Sequence, residues 1–111
     1  MSRQITRPEV RTALCSIARR YPDKYNPAPA FTTRTGDHCL VGAALEALAL
    51  PAPPVLSFTN RGGVVTLNQW LKNQNAATFD EDAVEALEVA MDHADSGDRW
   101  ADAVNAAVAC P

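Results

Sequence analysis

The stretch from Thr78 to Gly97 restricts the fold of this chain more than any other. Ala83, Val84, Leu87, Ala90, Met91 and Ala94 recur at the i, i+3, i+4, i+7 spacing that gathers side chains on one face of an α-helix. Glu81, Glu85, Glu88, Asp92 and Asp95 fall on the opposite face, and no lysine interrupts them. Thr78 followed by Glu81 has the spacing of a capping box, and Ser96-Gly97 is a stop signal, so the pattern predicts a helix over about 79–95. Repelling carboxylates one turn apart cost a few tenths of a kcal/mol each, roughly. Burying Val84, Leu87 and Met91 contributes roughly 1.5 to 3 kcal/mol apiece and outweighs that penalty.

Three further helices and a terminal one complete the expected architecture. Ile5, Thr6 and Glu9 form a staple and capping box, Val10, Leu14, Ile17 and Tyr21 keep helical spacing, and Pro22 stops the run, which predicts a helix over 7–20. The Asp37–Leu50 stretch is apolar or small almost all round, which predicts a buried central helix ended by Pro51. Thr66 and Gln69 repeat the capping-box spacing ahead of Trp70 and Leu71. A last helix is expected to begin near Asp98 and to turn Trp100, Val104, Ala107 and Val108 inward. Val55–Thr59 and Val64–Val65, around Asn60-Arg61-Gly62-Gly63, leave room for a short β-hairpin near residues 55–65. The expectation is a mainly α fold, a compact bundle of about five short helices, forming one helical domain over residues 1–111.

No apolar run reaches the roughly 18 residues that a membrane span needs, and the basic start has no apolar segment behind it, so the expected location is cytoplasmic. Cys15, Cys39 and Cys110 include no Cys-x-x-Cys pair. In a reducing compartment Cys15 and Cys39 are expected to act as small hydrophobes in their helices, not as disulfide partners.

Motifs with a chemical mechanism are scarce. Asp37-His38-Cys39 adjoins three reactive residue types, but neighbours on a helix do not face each other, and a cysteine nucleophile needs a base in reach. Asp92-His93-Ala94-Asp95-Ser96-Gly97-Asp98 is rich in oxygen ligands yet lacks the calcium-loop spacing, and its carboxylates are expected to end one helix and cap the next. Arg61-Gly62-Gly63 lacks the Lys-Ser/Thr of a phosphate loop. No catalytic residue, cofactor or metal is therefore expected. Trp70 and Trp100 read as core anchors.

Charge is distributed unevenly. Residues 1–25 carry Arg3, Arg7, Arg11, Arg19, Arg20 and Lys24 against Glu9 and Asp23, whereas residues 80–102 carry nine acids against Arg99. Helical projection sets Arg7 and Arg11 at one edge of the apolar stripe, Arg19 outward and Arg20 on the other flank, with no single basic stripe. The net charge of −3 also opposes phosphate binding, so direct contact with nucleic acid is not expected. Glu81, Glu85, Glu88, Asp92 and Asp95 form either a contact surface for a basic partner, with charge that mimics a phosphate backbone, or a merely solvated face. Ala86, Val89 and His93 lie off the main stripe and, if exposed, offer a second patch to a partner or a second copy of the chain.

Gly36-Asp37-His38-Cys39-Leu40-Val41-Gly42-Ala43-Ala44-Leu45 resembles a Cys-hydrophobic-x-Gly helix of small actinobacterial and actinobacteriophage proteins of unknown function. Thr78–Val104, above all Gly97-Asp98-Arg99-Trp100-Ala101-Asp102-Ala103-Val104, resembles the same group. The resemblance implies an accessory helical protein and carries no active-site residue. The sequence thus predicts a non-enzymatic interaction protein whose acidic helix face meets a protein partner. The competing expectations are a nucleic-acid-related role, by binding or charge mimicry, and a small cysteine-dependent enzyme.

Overall fold

The computed structural model describes residues 3–25, 40–51 and 63–110. The elements are, in order, β1 (Arg3–Ile5), α1 (Arg7–Arg20), α2 (Leu40–Ala47), α3 (Gly63–Asn73), β2 (Ala77–Phe79), α4 (Glu81–Asp95) and α5 (Trp100–Ala107). The fold is mainly α, with five helices and one two-stranded sheet among the described residues. No described helix is long and apolar enough to cross a membrane.

The central helix is α4, which packs against all four other helices. This corrects the expectation that α2 holds that place; α2 packs chiefly on α1 and α4. The physical reason lies in the alanines of α4. Ala83, Ala86, Ala90 and Ala94 are all buried, and their small side chains let neighbours approach on both flanks of the Leu87–Met91 ridge. Ala86 is therefore core and Val89 is half-buried against the core, so of Ala86, Val89 and His93 only His93 is exposed and they form no second apolar patch.

α1 has the bounds its periodicity predicts, with Val10, Leu14 and Ile17 buried. Tyr21 is exposed at the helix end instead of continuing the stripe. The Glu9 carboxylate accepts from the Thr6 backbone N–H at 3.4 Å and from its hydroxyl at 3.3 Å. Arg3 donates to the same carboxylate at 3.1 Å and to the Leu48 carbonyl at 2.7 Å, tying β1 to the end of α2. The Arg3 guanidinium, helped by the Thr6 amide, holds the Glu9 carboxyl below its ordinary range. A lowered carboxylate favours the folded chain above the ordinary range, and that contribution is lost as pH falls through the lowered one.

The two strands were not legible beforehand. β1 and β2 pair in parallel, Arg3 with Ala77 and Ile5 with Phe79, and Ile5, Ala77 and Phe79 are buried. Three-residue strands are too short for alternation to register. The free edge of β2 is satisfied by α3, where Asn68 Oδ1 accepts from the Phe79 N–H at 2.9 Å. With Thr78 in β2, the N-cap of α4 is Asp80, whose carboxylate accepts from the Ala83 N–H at 2.8 Å.

The proposed hairpin near 55–65 is also corrected. Residues 55–62 lie outside the described residues, and Val64 and Val65 belong to the first turn of α3. The run Val64, Leu67 and Leu71, all fully buried, has helical spacing, and burial of that face overrides the β preference of two valines. The helix accordingly starts before Thr66, so the Thr66–Gln69 box does not open it. The start of the Asp37–Leu50 helix lies outside the described residues.

Three helices end on the same device. After α2, Leu50 N–H donates to Leu45 O and Ala49 N–H to Glu46 O; after α3, Ala76 donates to Leu71 O and Asn75 to Lys72 O; after α4, Asp98 donates to His93 O and Gly97 to Ala94 O. Each pair is a Schellman closure, with Ala49 (φ 58), Asn75 (φ 54) and Gly97 (φ 100) in the left-handed region. Gly97 and Asn75 suit that conformation, whereas Ala49 carries a Cβ that opposes it. Ala49→Gly is expected to stabilise the fold by about 0.5 to 1 kcal/mol, read as a higher urea midpoint with an unchanged slope. A lower midpoint would show that Ala49 is not held in this conformation in solution.

Candidate functional site

Two surfaces carry the chemistry available among the described residues. The first is the outer face of α4. Glu81, Glu85, Asp92 and Asp95 are exposed and Glu88 is half-buried. Glu81, Glu85, Glu88 and Asp92 make no ion pair with any described residue. The N-terminal arginines do not neutralise this face. Arg3 is engaged by Glu9 and Leu48, and Arg7 reaches α4 only at a backbone oxygen, Asp82 O at 3.3 Å.

The second surface runs along α1. Arg7, Arg11, Cys15 and Arg19 follow one another at i, i+4 spacing, a slowly turning ridge that the helical projection had divided. Arg7 belongs to the scaffold, since it also donates to Ala107 O at 3.1 Å and so satisfies the end of α5. Arg11 and Arg19 are exposed and flank a groove of about 370 Å³ lined by Arg11, Thr12, Cys15, Ser16 and Arg19. Among the described residues, guanidinium and hydroxyl groups line it and no carboxylate does.

Cys15 stands in the wall of that groove and is bonded to Cys110, with a Cα–Cα separation of 5.6 Å. This corrects the expectation that Cys15 is not a disulfide partner, while its place in the core, at 3% exposed, is as expected. The cause of the pairing is tertiary. α5 packs on α1, so the chain that leaves α5 arrives beside the middle of α1. Spacing in the sequence does not indicate which two of three cysteines meet.

The remaining candidates resolve into structural roles or lie outside the described residues. Asp37, His38 and Cys39 are among the latter. His93 is exposed and its Nδ1 lies 2.8 Å from Asp98 Oδ2, bridging the end of α4. Ser96 Oγ donates to Asp92 O at 2.7 Å, so the Asp92–Asp98 segment closes a helix as expected. It does not cap α5, whose N-cap is Arg99, a residue that makes no side-chain bond to the first turn's backbone. Lys24 O instead accepts from the Trp100 N–H at 2.8 Å and Pro22 O from the Ala101 N–H at 3.2 Å. Arg99 braces the same junction through Asp23 at 3.0 Å and Asp102 at 3.2 Å. Trp100 is buried, with Tyr21 edge-on at 6.3 Å and the Lys24 ammonium 4.9 Å from its ring; Trp70 is half-buried. A groove of about 450 Å³ between α1 and the end of α2 presents Arg3 and Glu9 already paired to each other.

These features define a small mainly α protein with an acidic central helix and a disulfide-bonded tail. Comparison with protein-family models, with curated proteins and with solved structures finds no match.

Proposed function

We propose that this chain is a non-enzymatic accessory protein that binds a basic protein partner through the α4 face formed by Glu81, Glu85, Glu88, Asp92 and Asp95. The observation that supports this reading is the row of Glu81, Glu85, Glu88 and Asp92, which make no ion pair with described residues, on the helix that organises the core. A rigid helix holds charges at fixed spacing, which favours encounter with, and orientation of, a complementary surface. The resemblance to actinobacterial and phage proteins supports a phage-encoded chain acting on a host protein. Charge mimicry of nucleic acid is the second form of the same reading, because a mimic uses the same carboxylates to occupy a DNA-binding partner.

The cytoplasmic placement belongs to this proposal, and the cysteines test it. A disulfide persists in oxidising compartments, so in the cytoplasm Cys15 and Cys110 are expected to face each other as thiols.

The triple variant Glu85→Lys, Glu88→Lys and Asp92→Lys is expected to stay folded, each surface change shifting stability by about 0.5 kcal/mol or less. In pull-downs from an actinobacterial lysate it is expected to lose the protein retained by the wild type, whereas Arg11→Ala with Arg19→Ala keeps it. Equal retention by the lysine variant would end the acidic-face reading. Retention that DNA competes away would select mimicry.

A further inference from the structure

We infer that Cys110 is an S-thiolation site, the sulfur at which a reducing thiol opens the Cys15–Cys110 bond. The two ends of that bond differ in burial and in what holds them. Cys15 sits in the middle of α1 as a member of the core cluster and is almost fully buried. Cys110 is half-buried on the segment after α5 and packs on the outside of the same core. The last backbone hydrogen bond of that segment runs from the Val108 N–H to Val104 O at 2.8 Å. Ala109 is exposed, and neither it nor Cys110 makes a backbone hydrogen bond with a described residue. Beyond Val108, then, the sulfur bond is the covalent tie that fixes the segment to α1. Which sulfur a thiolate attacks depends on access. Attack on Cys15 must pass into the core, and an adduct there would need room that close-packed side chains do not leave. Attack on Cys110 meets a half-buried residue, and the adduct stands on backbone that no helix or strand holds.

The exchange balances with the thiol as the only co-reactant. The incoming thiol loses its proton to solvent, and its thiolate sulfur attacks Cys110 Sγ. The Cys15–Cys110 bond breaks as the new bond forms, and its electron pair leaves on Cys15 Sγ, which takes a proton from solvent. The product is a mixed disulfide at Cys110 and a Cys15 thiol on α1. A second thiol of the same class, attacking the sulfur of the first, completes the reduction: it leaves Cys110 as a thiol and carries the oxidised pair away as a disulfide. In the reverse of the first step the Cys15 thiolate attacks Cys110, restores the internal bond and expels the small thiol.

The test treats the oxidised full chain briefly with glutathione and, separately, with neutral 2-mercaptoethanol, each in native buffer and in urea. Acid quenching, alkylation, trypsin and mass spectrometry then locate each adduct, because Cys15, Cys39 and Cys110 fall on different tryptic peptides, 12–19, 35–61 and 100–111. In the folded chain both thiols are expected on the Cys110 peptide with Cys15 alkylated, in about tenfold excess over the opposite arrangement. In urea the core no longer shields Cys15, and the excess is expected to fall to about two or less. Agreement between the anionic and the neutral thiol assigns the preference to burial and not to charge. An adduct mainly on Cys15, the same ratio in buffer and urea, or a folded chain that yields no mixed disulfide while the unfolded one does, would overturn the proposal.

Discussion

Trp100→Ala is expected to destabilise the protein by about 3 to 5 kcal/mol, the largest effect of any single side chain described. Trp100 is 1% exposed and is the largest of the fully buried side chains. Its removal leaves a void where α5 starts, because Tyr21 and Lys24 pack on the same ring from the segment after α1. That segment also supplies the carbonyls that receive the first N–H groups of α5, so losing the indole weakens the hold on two backbone bonds. A domain of this size has about 5 to 15 kcal/mol in total, and the variant should approach the unfolding threshold. Lys24→Gln, which removes only the ammonium from the ring, should cost about 0.5 to 1 kcal/mol. Urea titration followed by far-ultraviolet circular dichroism measures both. If Trp100→Ala costs no more than Lys24→Gln, the indole does not anchor the junction.

Opening the Cys15–Cys110 bond is the second large effect. The bond closes a loop with a sequence separation of 95 residues. By chain entropy a loop near that length stabilises the native state by about 4 to 5 kcal/mol, because the unfolded chain loses conformations that the folded chain never had. Cys110→Ser is therefore expected to lower the urea midpoint as far as full reduction of the wild type does, and to make stability independent of reductant. Helix content should change little, since Cys110 lies beyond the end of α5 and Cys15 stays in an α1 held by its other buried residues. Coincident unfolding curves for oxidised and reduced wild type would mean that the bond does not form in solution. The comparison also bears on placement, because a chain that needs this contribution is poorly suited to a reducing compartment.

Much of the helical framework was readable from side-chain spacing. The 3.6-residue recurrence of Val10, Leu14 and Ile17, and of Ala83, Leu87, Ala90 and Met91, requires a one-sided helix whatever the rest of the chain does. Local stop signals at Pro22 and Gly97 act within a turn and were legible for the same reason. The caps were less so. Thr78 and Asp80 both precede α4 with suitable side chains, and pairing of Ala77–Phe79 with β1 decides between them. The start of α5 likewise depends on Lys24 and Pro22, which are remote in sequence.

The candidate surfaces divide in the same way. The acidic face follows from periodicity alone, because charges opposite an apolar stripe must point away from the core. The Cys15–Cys110 bond beside the Arg11–Arg19 groove does not, since it forms only where the tail after α5 meets α1. The sequence by itself determined the span of α1 and the core-seeking side of α1 and α4, since both depend on neighbours within a few residues. Tertiary structure alone decided that α4 and not α2 lies at the centre, that β1 pairs with β2, and that Cys15 meets Cys110. Those outcomes depend on which surfaces come together across long stretches of chain, and that is set by the packing of the whole core rather than by any local pattern.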